Sequence, residues 1–305
     1  MSTDAAIGKD AGEEYADYLR DESRMVGQAD AFSFPKTEHD LRAILADASR
    51  NGTPVTLQGA RTGITGGAVP RGGIVLNLSK MNRVLGLRQD AERHAFFMTV
   101  QPGILLSELR IAIANRRLDT SDWSPAATRA AQEFADAPVH FFPPDPTETG
   151  ASVGGMIACN ASGACSFFYG PTRRYVERLR VVLIDGSDVE LSRGAQKARG
   201  REFSLRTESG AIIREALPAY QMPAVKNASG YFAEDNMDLI DLFIGSEGTL
   251  GVISEAEIRL IPAPSVQWGV TMFLPSEKHA AQLVQNIRSA PTKKPVAIEF
   301  FDSHA

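Results

Sequence analysis

Four glycines fall within the nine residues 59–67 (GARTGITGG), directly after a short apolar run at 53–57 that reads as a strand. Glycine at this density costs conformational entropy on folding. It belongs where the main chain must turn sharply or come close to a ligand. Successive N–H groups in such a loop can form a nest for an anion such as a pyrophosphate, although seen alone the run also reads as a flexible surface loop. Spacing excludes two familiar phosphate loops. There is no Gly-Lys-Ser/Thr ending of a P-loop, and no Gly-x-Gly-x-x-Gly register of a Rossmann turn.

Two more loops of related character follow in order. The second, FFPPDPTETGASVGGMIACNASGACSFFYG, begins with a stiff proline entry at Pro143, Pro144 and Pro146. Gly154, Gly155 and Gly163 then permit close approach, and Ser152, Asn160 and Ser162 offer short polar side chains for ligand oxygens or a heteroaromatic edge. In the third, IGSEGTLGVISE at 244–255, Glu247 stands among apolar residues and is expected to be a buried carboxylate. A buried carboxylate needs a partner, either the loop's own amides or a ribose hydroxyl.

Between the loops the chain alternates helical and strand patterns. Thr37 with Asp40 three positions on forms a capping-box-like start. Leu41, Ile44, Leu45 and Ala48 repeat at helical spacing, and Asn51-Gly52 stops the helix. Further strands are expected at 74–78 and 96–100 and a helix at 105–116. A polar excursion at 117–140 carries a short helix over 128–134. A hairpin is expected about Asp185-Gly186-Ser187, a polar variable region at 192–225, and strand-and-turn structure over 242–260. Pro262 and Pro264 read as a boundary, after which a strand (268–274), a helix (276–287) and a strand (296–301) are expected. A lone βαβ unit of that kind leaves a sheet edge uncovered, so the expectation is a truncated chain or a second polypeptide that completes the unit.

Composition narrows the function classes. With 32 basic and 37 acidic residues the net charge is −5, which gives no footprint for nucleic acid. The acidic N-terminus lacks the features of a secretory signal, and no apolar run approaches a membrane span. The two cysteines, Cys159 and Cys165, have no metal-type spacing, and a cytoplasmic setting is expected, with peripheral membrane association left open. The five histidines (39, 94, 140, 279 and 304) are not paired at ligand spacing, so no metal site and no catalytic acid or base is assigned.

Taken together, the segments GARTGITGGAVP, GIVLNLSKMNRVL, VQPG, FFPPDP, SVGGMIACNASG, YGPTRRYV, KNASGY and IGSEGTLGVISEAEIRL closely resemble the FAD-binding oxidoreductases of the vanillyl-alcohol oxidase and p-cresol methylhydroxylase type. The likeness is strongest to the branch of D-lactate dehydrogenases and glycolate oxidase FAD subunits. It spans about residues 34–264. It implies an α+β fold in which two α/β subdomains sandwich an extended FAD, with 265–305 as the start of an α/β cap over the flavin; residues 1–33 read as an N-terminal acidic segment.

By the same resemblance, Gly59, Arg61, Thr62, Gly63, Thr65, Gly66 and Gly67 wrap the pyrophosphate. Pro144, Asp145, Ser152, Gly155, Asn160 and Gly163 lie along the flavin and ribityl chain. Glu247, Gly251 and the backbone of Ile253 reach the adenosine side. For Lys226 and Tyr231 the resemblance leaves a flavin-proximal role and a packing role open.

The chain departs from the family at two places. Gln58 stands where the family has Arg, and Arg61 where it commonly has Gly, so Arg61 is expected to supply the positive charge near the pyrophosphate. No histidine lies in the first loop, which implies non-covalent FAD. The implied chemistry is hydride removal from the α-carbon of a 2-hydroxy acid (D-lactate, glycolate or D-2-hydroxyglutarate class) to flavin N5. The electron acceptor is not readable. The remaining alternatives are an FAD-binding subunit inert without its partner and an alcohol or sugar oxidase of the same superfamily.

Overall fold

The computed structural model describes residues 5–7, 13–291 and 294–302. The first sheet contains β1 (Ala5–Ile7), β2 (Ala31–Ser33), β3 (Val55–Gln58) and β4 (Ile74–Asn77), in the spatial order β1-β2-β4-β3. β4 runs parallel to both β2 and β3. Helix α1 (Glu38–Asn51) provides the crossover from β2 to β3. Its capping box is formed: the Asp40 amide donates to Thr37 Oγ1 at 3.1 Å and the Thr37 amide to Asp40 Oδ2 at 3.0 Å. Gly52, at φ 62°, ends it in the left-handed cap. A second parallel crossover, from β3 to β4, usually takes a helix. Here the 15 residues between Gln58 and Ile74 make it as the glycine loop.

The second sheet is antiparallel. Its strands are β5 (Val84–Asp90), β6 (Ala95–Val100), β7 (His140–Phe141), β8 (Val176–Val182), β9 (Asp188–Ser192) and β12 (Val252–Pro262), with the order β5-β6-β12-β8-β9 and β7 paired to the end of β12. Between β6 and β7 come α2 (Leu106–Asn115) and α3 (Pro125–Asp136), and between β7 and β8 the short α4 (Val153–Ala158) and α5 (Ser166–Tyr169). One face of this sheet carries the main core, built from Met98, Leu106, Leu109, Phe134, Met156 and Ile258, each no more than 1% exposed. Burying one such side chain contributes about 1.5–3 kcal/mol. Outside the sheet lie the hairpin β10 (Glu202–Arg206) and β11 (Ile212–Ala216) and the one-turn α6 (Ile240–Phe243).

Helix α1 joins the two sheets. Leu41 and Leu45 pack with Leu76 and Met81 on one side and with Val182 and Val252 of the second sheet on the other. A polar clasp runs beside this contact. Arg180 of β8 donates to both Glu38 carboxylate oxygens, at 3.0 and 3.1 Å, and to Asp188 at 3.1 Å. Ser254 of β12 donates to Glu38 at 2.7 Å, and Arg42 meets Asp188 at 3.2 Å.

Three expectations change. The polar region 192–225, for which no element is expected, contains the β10–β11 hairpin. Over 242–251 there is the end of α6 followed by turns, with strand only from Val252. Past Pro262, helix α7 (Glu277–Ser289) forms, but neither 268–274 nor 296–301 is a strand. Strand structure requires a ladder partner, and among the described residues these segments have none. Trp268 and Phe273 therefore stand 85% and 95% exposed.

Candidate cofactor site

The first glycine loop comes from the first sheet and the other two from the second, and all three meet at one place. The first leaves the C-terminal end of β3 and is latched at its base. Buried Gln58 donates to the carbonyls of Tyr18 (2.8 Å) and Ala68 (2.7 Å), and Asn77 Nδ2 donates to the Gly59 carbonyl at 3.2 Å. The N-terminal segment wraps this loop from outside. The Glu22 amide donates to the Arg61 carbonyl at 3.3 Å, Asp21 accepts from the Ala68 amide at 3.4 Å, and the Arg61 guanidinium lies over the Tyr18 ring at 4.4 Å.

Within the described residues, the eight backbone amides of residues 60–67 donate to no protein acceptor. Arg61, Thr62, Gly63, Thr65, Gly66 and Gly67 therefore present a row of free donors, which is the chemistry a diphosphate needs. The cradle fits the group.

The second loop closes on the first. Ser152 caps α4 by accepting from the Gly155 amide at 3.3 Å, and its hydroxyl lies against Gly59. Upstream, Pro144 is buried, and Asp145 forms an ion pair with Arg110 of α2 at 2.8 Å. Gly163 packs on the Asp145 carbonyl so closely that a β-carbon there would lie 1.5 Å from that oxygen. Asn160, buried and at φ 46°, accepts from the Arg173 amide at 3.0 Å.

The third loop joins by backbone bonds. The Gly245 amide donates to the Ile157 carbonyl at 3.0 Å and the Glu247 amide to the Ala158 carbonyl at 2.9 Å. Glu247 is not buried, contrary to expectation. At φ 54° the loop turns its side chain outward, and a β-carbon on Gly67 would be 4.0 Å from its Oε2. Gly251 and Ile253 are elsewhere: both pack against β8, with Ile253 in register with Val181.

Where loops two and three meet there is a cavity of about 600 Å³, lined among others by Asn160, Ser162, Gly163, Arg173, Lys226 and Phe232. That volume lies within the usual range for organic ligands. Arg173 is fully engaged. It donates to the carbonyls of Asp241 and Ile244 and to the Asp241 carboxylate, and it covers the Phe232 ring at 4.4 Å. Burial pulls its pKa below the ordinary arginine range, against the pull of Asp241. Asp241 is also held bidentately by Arg193, at 2.9 and 3.0 Å. Lys226, by contrast, has no ion pair among the described residues.

The sequence alone assigns no role to Gln58 as a latch, or to Asn77, Tyr18 or the Arg173–Asp241–Arg193 network. Arg173 was visible only as part of YGPTRRYV, because Asp241 is 68 residues away. No group of three or more metal-ligating side chains exists among the described residues.

The profile of a family described as FAD binding domain matches residues 29–128 and 124–192. A D-lactate dehydrogenase from Anaerostipes hadrus is 32% identical over 86% of this chain and 42% of its own length. The glycolate oxidase subunit GlcD of Bacillus subtilis is 29% identical over 90% of this chain and 45% of its own. The fold is shared with 6-hydroxy-D-nicotine oxidase from Arthrobacter nicotinovorans, at TM-score 0.56 and 14% identity over 87% of this chain and 43% of that one. The chain thus spans less than half the length of these relatives.

Proposed function

The chain belongs to the FAD binding domain family and takes FAD as its cofactor, and from that premise we propose that it oxidises a small 2-hydroxy acid of the D-lactate, glycolate or D-2-hydroxyglutarate class. The single observation behind the placement of the cofactor is the run of eight unpaired amides at 60–67, beside a cavity of organic-ligand size. Bound FAD supplies the two-electron acceptor for the hydride on the substrate's α-carbon.

The chain's own residues do the rest. Amides 60–67 hold the diphosphate, with Arg61 adding charge from its seat on Tyr18. Pro144, Asp145, Ser152, Gly155, Asn160 and Gly163 line the path of the ring and ribityl chain, kept in place by Arg110 and Arg173. Glu247, beside Gly67, serves the adenosine side, whereas Gly251 and Ile253, packed against β8, are left without a cofactor role. Attachment is non-covalent. Lys226 is the uncompensated cation at the cavity, suited to a carboxylate or to negative charge that develops during reduction.

A second reading is favoured by one observation. The apolar residues of 266–274 stand exposed, which suits an FAD-binding unit that works only when further polypeptide covers them.

The test is direct. The purified chain is expected to be yellow, and D-lactate, glycolate or D-2-hydroxyglutarate is expected to bleach it anaerobically. A colourless protein that takes up no added FAD overturns the cofactor assignment. A yellow protein that none of the three acids reduces overturns autonomous oxidation and supports the second reading.

A further inference from the structure

The one-turn helix α5 separates two cavities. It gives Ser166 and Phe167 to the larger one and Phe168 and Tyr169 to a second, of about 460 Å³, which Arg174, Tyr175, Arg259 and Ile261 complete. The second cavity is walled by aromatic carbon. Phe168 is 48% exposed and meets Tyr169 edge-on at 4.9 Å, and the Tyr175 hydroxyl donates to the Tyr169 carbonyl at 2.8 Å.

The two arginines at this cleft are unlike their neighbours. On the same sheet Arg88 pairs with Glu257 at 2.6 Å and Arg178 with Glu255 at 2.5 Å, and in the β5–β6 turn Arg93 pairs with Glu177 at 2.5 Å. Arg174 and Arg259 have no carboxylate partner among the described residues. Arg174 donates only to the Tyr169 carbonyl (3.2 Å) and Arg259 to the Arg174 carbonyl (3.3 Å). The Arg259 Nε is shut off from water with no acceptor, and its guanidinium faces the Tyr175 ring at 5.4 Å. Burial, then the nearby Arg93 charge, depresses the pKa of Arg259, and Arg174 acts in the same direction. Arg259 is half-buried with one N–H unsatisfied and only the more distant Glu177 charge in its favour, while Arg174 stands exposed beside it, so a carboxylate placed between the two gains charge-assisted hydrogen bonds from both. The rings beside them offer π-faces and edges to a flat apolar body.

We propose that this cleft, on the far side of α5 from the cofactor cavity, binds a small planar organic anion of the arylcarboxylate type, with its carboxylate on Arg174 and Arg259 and its ring among Phe168, Tyr169 and Tyr175. A concave volume of this size suits a one- or two-ring molecule rather than a protein face.

The probe is 2-naphthoate, titrated calorimetrically into the full FAD-loaded chain beside its neutral analogue 2-naphthamide. The expected result is one naphthoate site, with at least tenfold weaker binding in Arg259→Leu and in Arg174→Leu and for the amide. Lys226→Met, altered in the other cavity, is expected to bind naphthoate as the unaltered chain does. Arg259→Lys serves as the second variant should Arg259→Leu not fold, and is expected to retain part of the affinity. Absence of binding, equal binding of the amide, or loss in Lys226→Met with retention in the arginine variants overturns the proposal. Failure to take up FAD would leave this titration interpretable on the colourless protein, so the two assignments fail separately.

Discussion

Gly59 and Ser152, from the loops of two different sheets, touch so closely that a β-carbon on Gly59 would lie 2.2 Å from the Ser152 hydroxyl oxygen and 3.3 Å from its β-carbon. Both residues are fixed from behind, Gly59 by Asn77 and Ser152 by its cap on α4.

Gly59→Ala is therefore expected to push the loops apart, at a cost of about 1–3 kcal/mol. FAD affinity should fall by at least tenfold, read by quenching of flavin fluorescence on titration. Adding Ser152→Ala removes the 2.2 Å contact but leaves the one at 3.3 Å, so the double variant should recover only part of the loss. A double variant no better than Gly59→Ala would mean that the contact between these two residues is not what matters.

Arg61→Ala should weaken FAD about tenfold, the scale of one charge-assisted hydrogen bond. The dependence of affinity on salt should flatten along with it. Tyr18→Ala, which removes only the ring beneath the guanidinium, should give a smaller effect in the same direction. Undiminished affinity in Arg61→Ala would count against a phosphate role for this side chain.

Lys226→Met should retain FAD yet make it harder to reduce. An interaction of about 1.4 kcal/mol with the reduced form corresponds to a fall of about 30 mV in a two-electron midpoint potential. Potentiometry in the presence and absence of oxalate separates the two anions this lysine could serve. A lower potential in both conditions indicates the flavin, and weaker oxalate binding at unchanged potential indicates the substrate carboxylate.

Glu38→Ala removes the acceptor shared by Arg180 and Ser254 and should destabilise the protein by about 2 kcal/mol. Thermal melting should show a lower midpoint, and bound FAD should be lost at or before it, because the clasp holds the two halves of the site together.

Stability should also fall in acid through Asp40. Burial acts against its charge, but the Thr37 hydroxyl and the amides of Lys36 and Thr37 outweigh it and hold its pKa below the ordinary 3.8. A depressed carboxyl stabilises the fold above its unfolded value and loses that contribution as pH drops through the folded one. The effect is thus confined to pH below about 4. Asp40→Asn should lower stability at neutral pH, where the charged carboxyl contributes, and converge with the unaltered chain in acid, flattening this part of the acid limb in melts recorded against pH.

Local signals in the sequence were read well. The capping box, the Gly52 stop and the Leu41/Leu45 stripe of α1 all depend on neighbours a few residues apart, and they stand as expected. What was missed is non-local or conformational. The 268–274 segment alternates like a strand, but alternation does not provide a partner. Glu247 has apolar neighbours in sequence, and the positive φ that turns it outward could not be inferred from them. The β10–β11 hairpin was hidden by the polar turn at 207–210, although Phe203, Leu205, Ile212 and Ile213 carried its apolar pattern. In the site, the glycine loops were legible because backbone geometry demands glycine. The arginines that hold them were not, since Arg173 and Asp241 meet only in the folded chain.

The eight unpaired amides of the first loop have a further consequence. They sit at a junction built from both sheets and all three loops, so on the proposed placement the chain retains its cofactor only after every part of that junction has formed. Colour then becomes a measure of assembly: the fraction of purified chains that stay yellow through dialysis counts those in which both halves have docked, whatever their turnover.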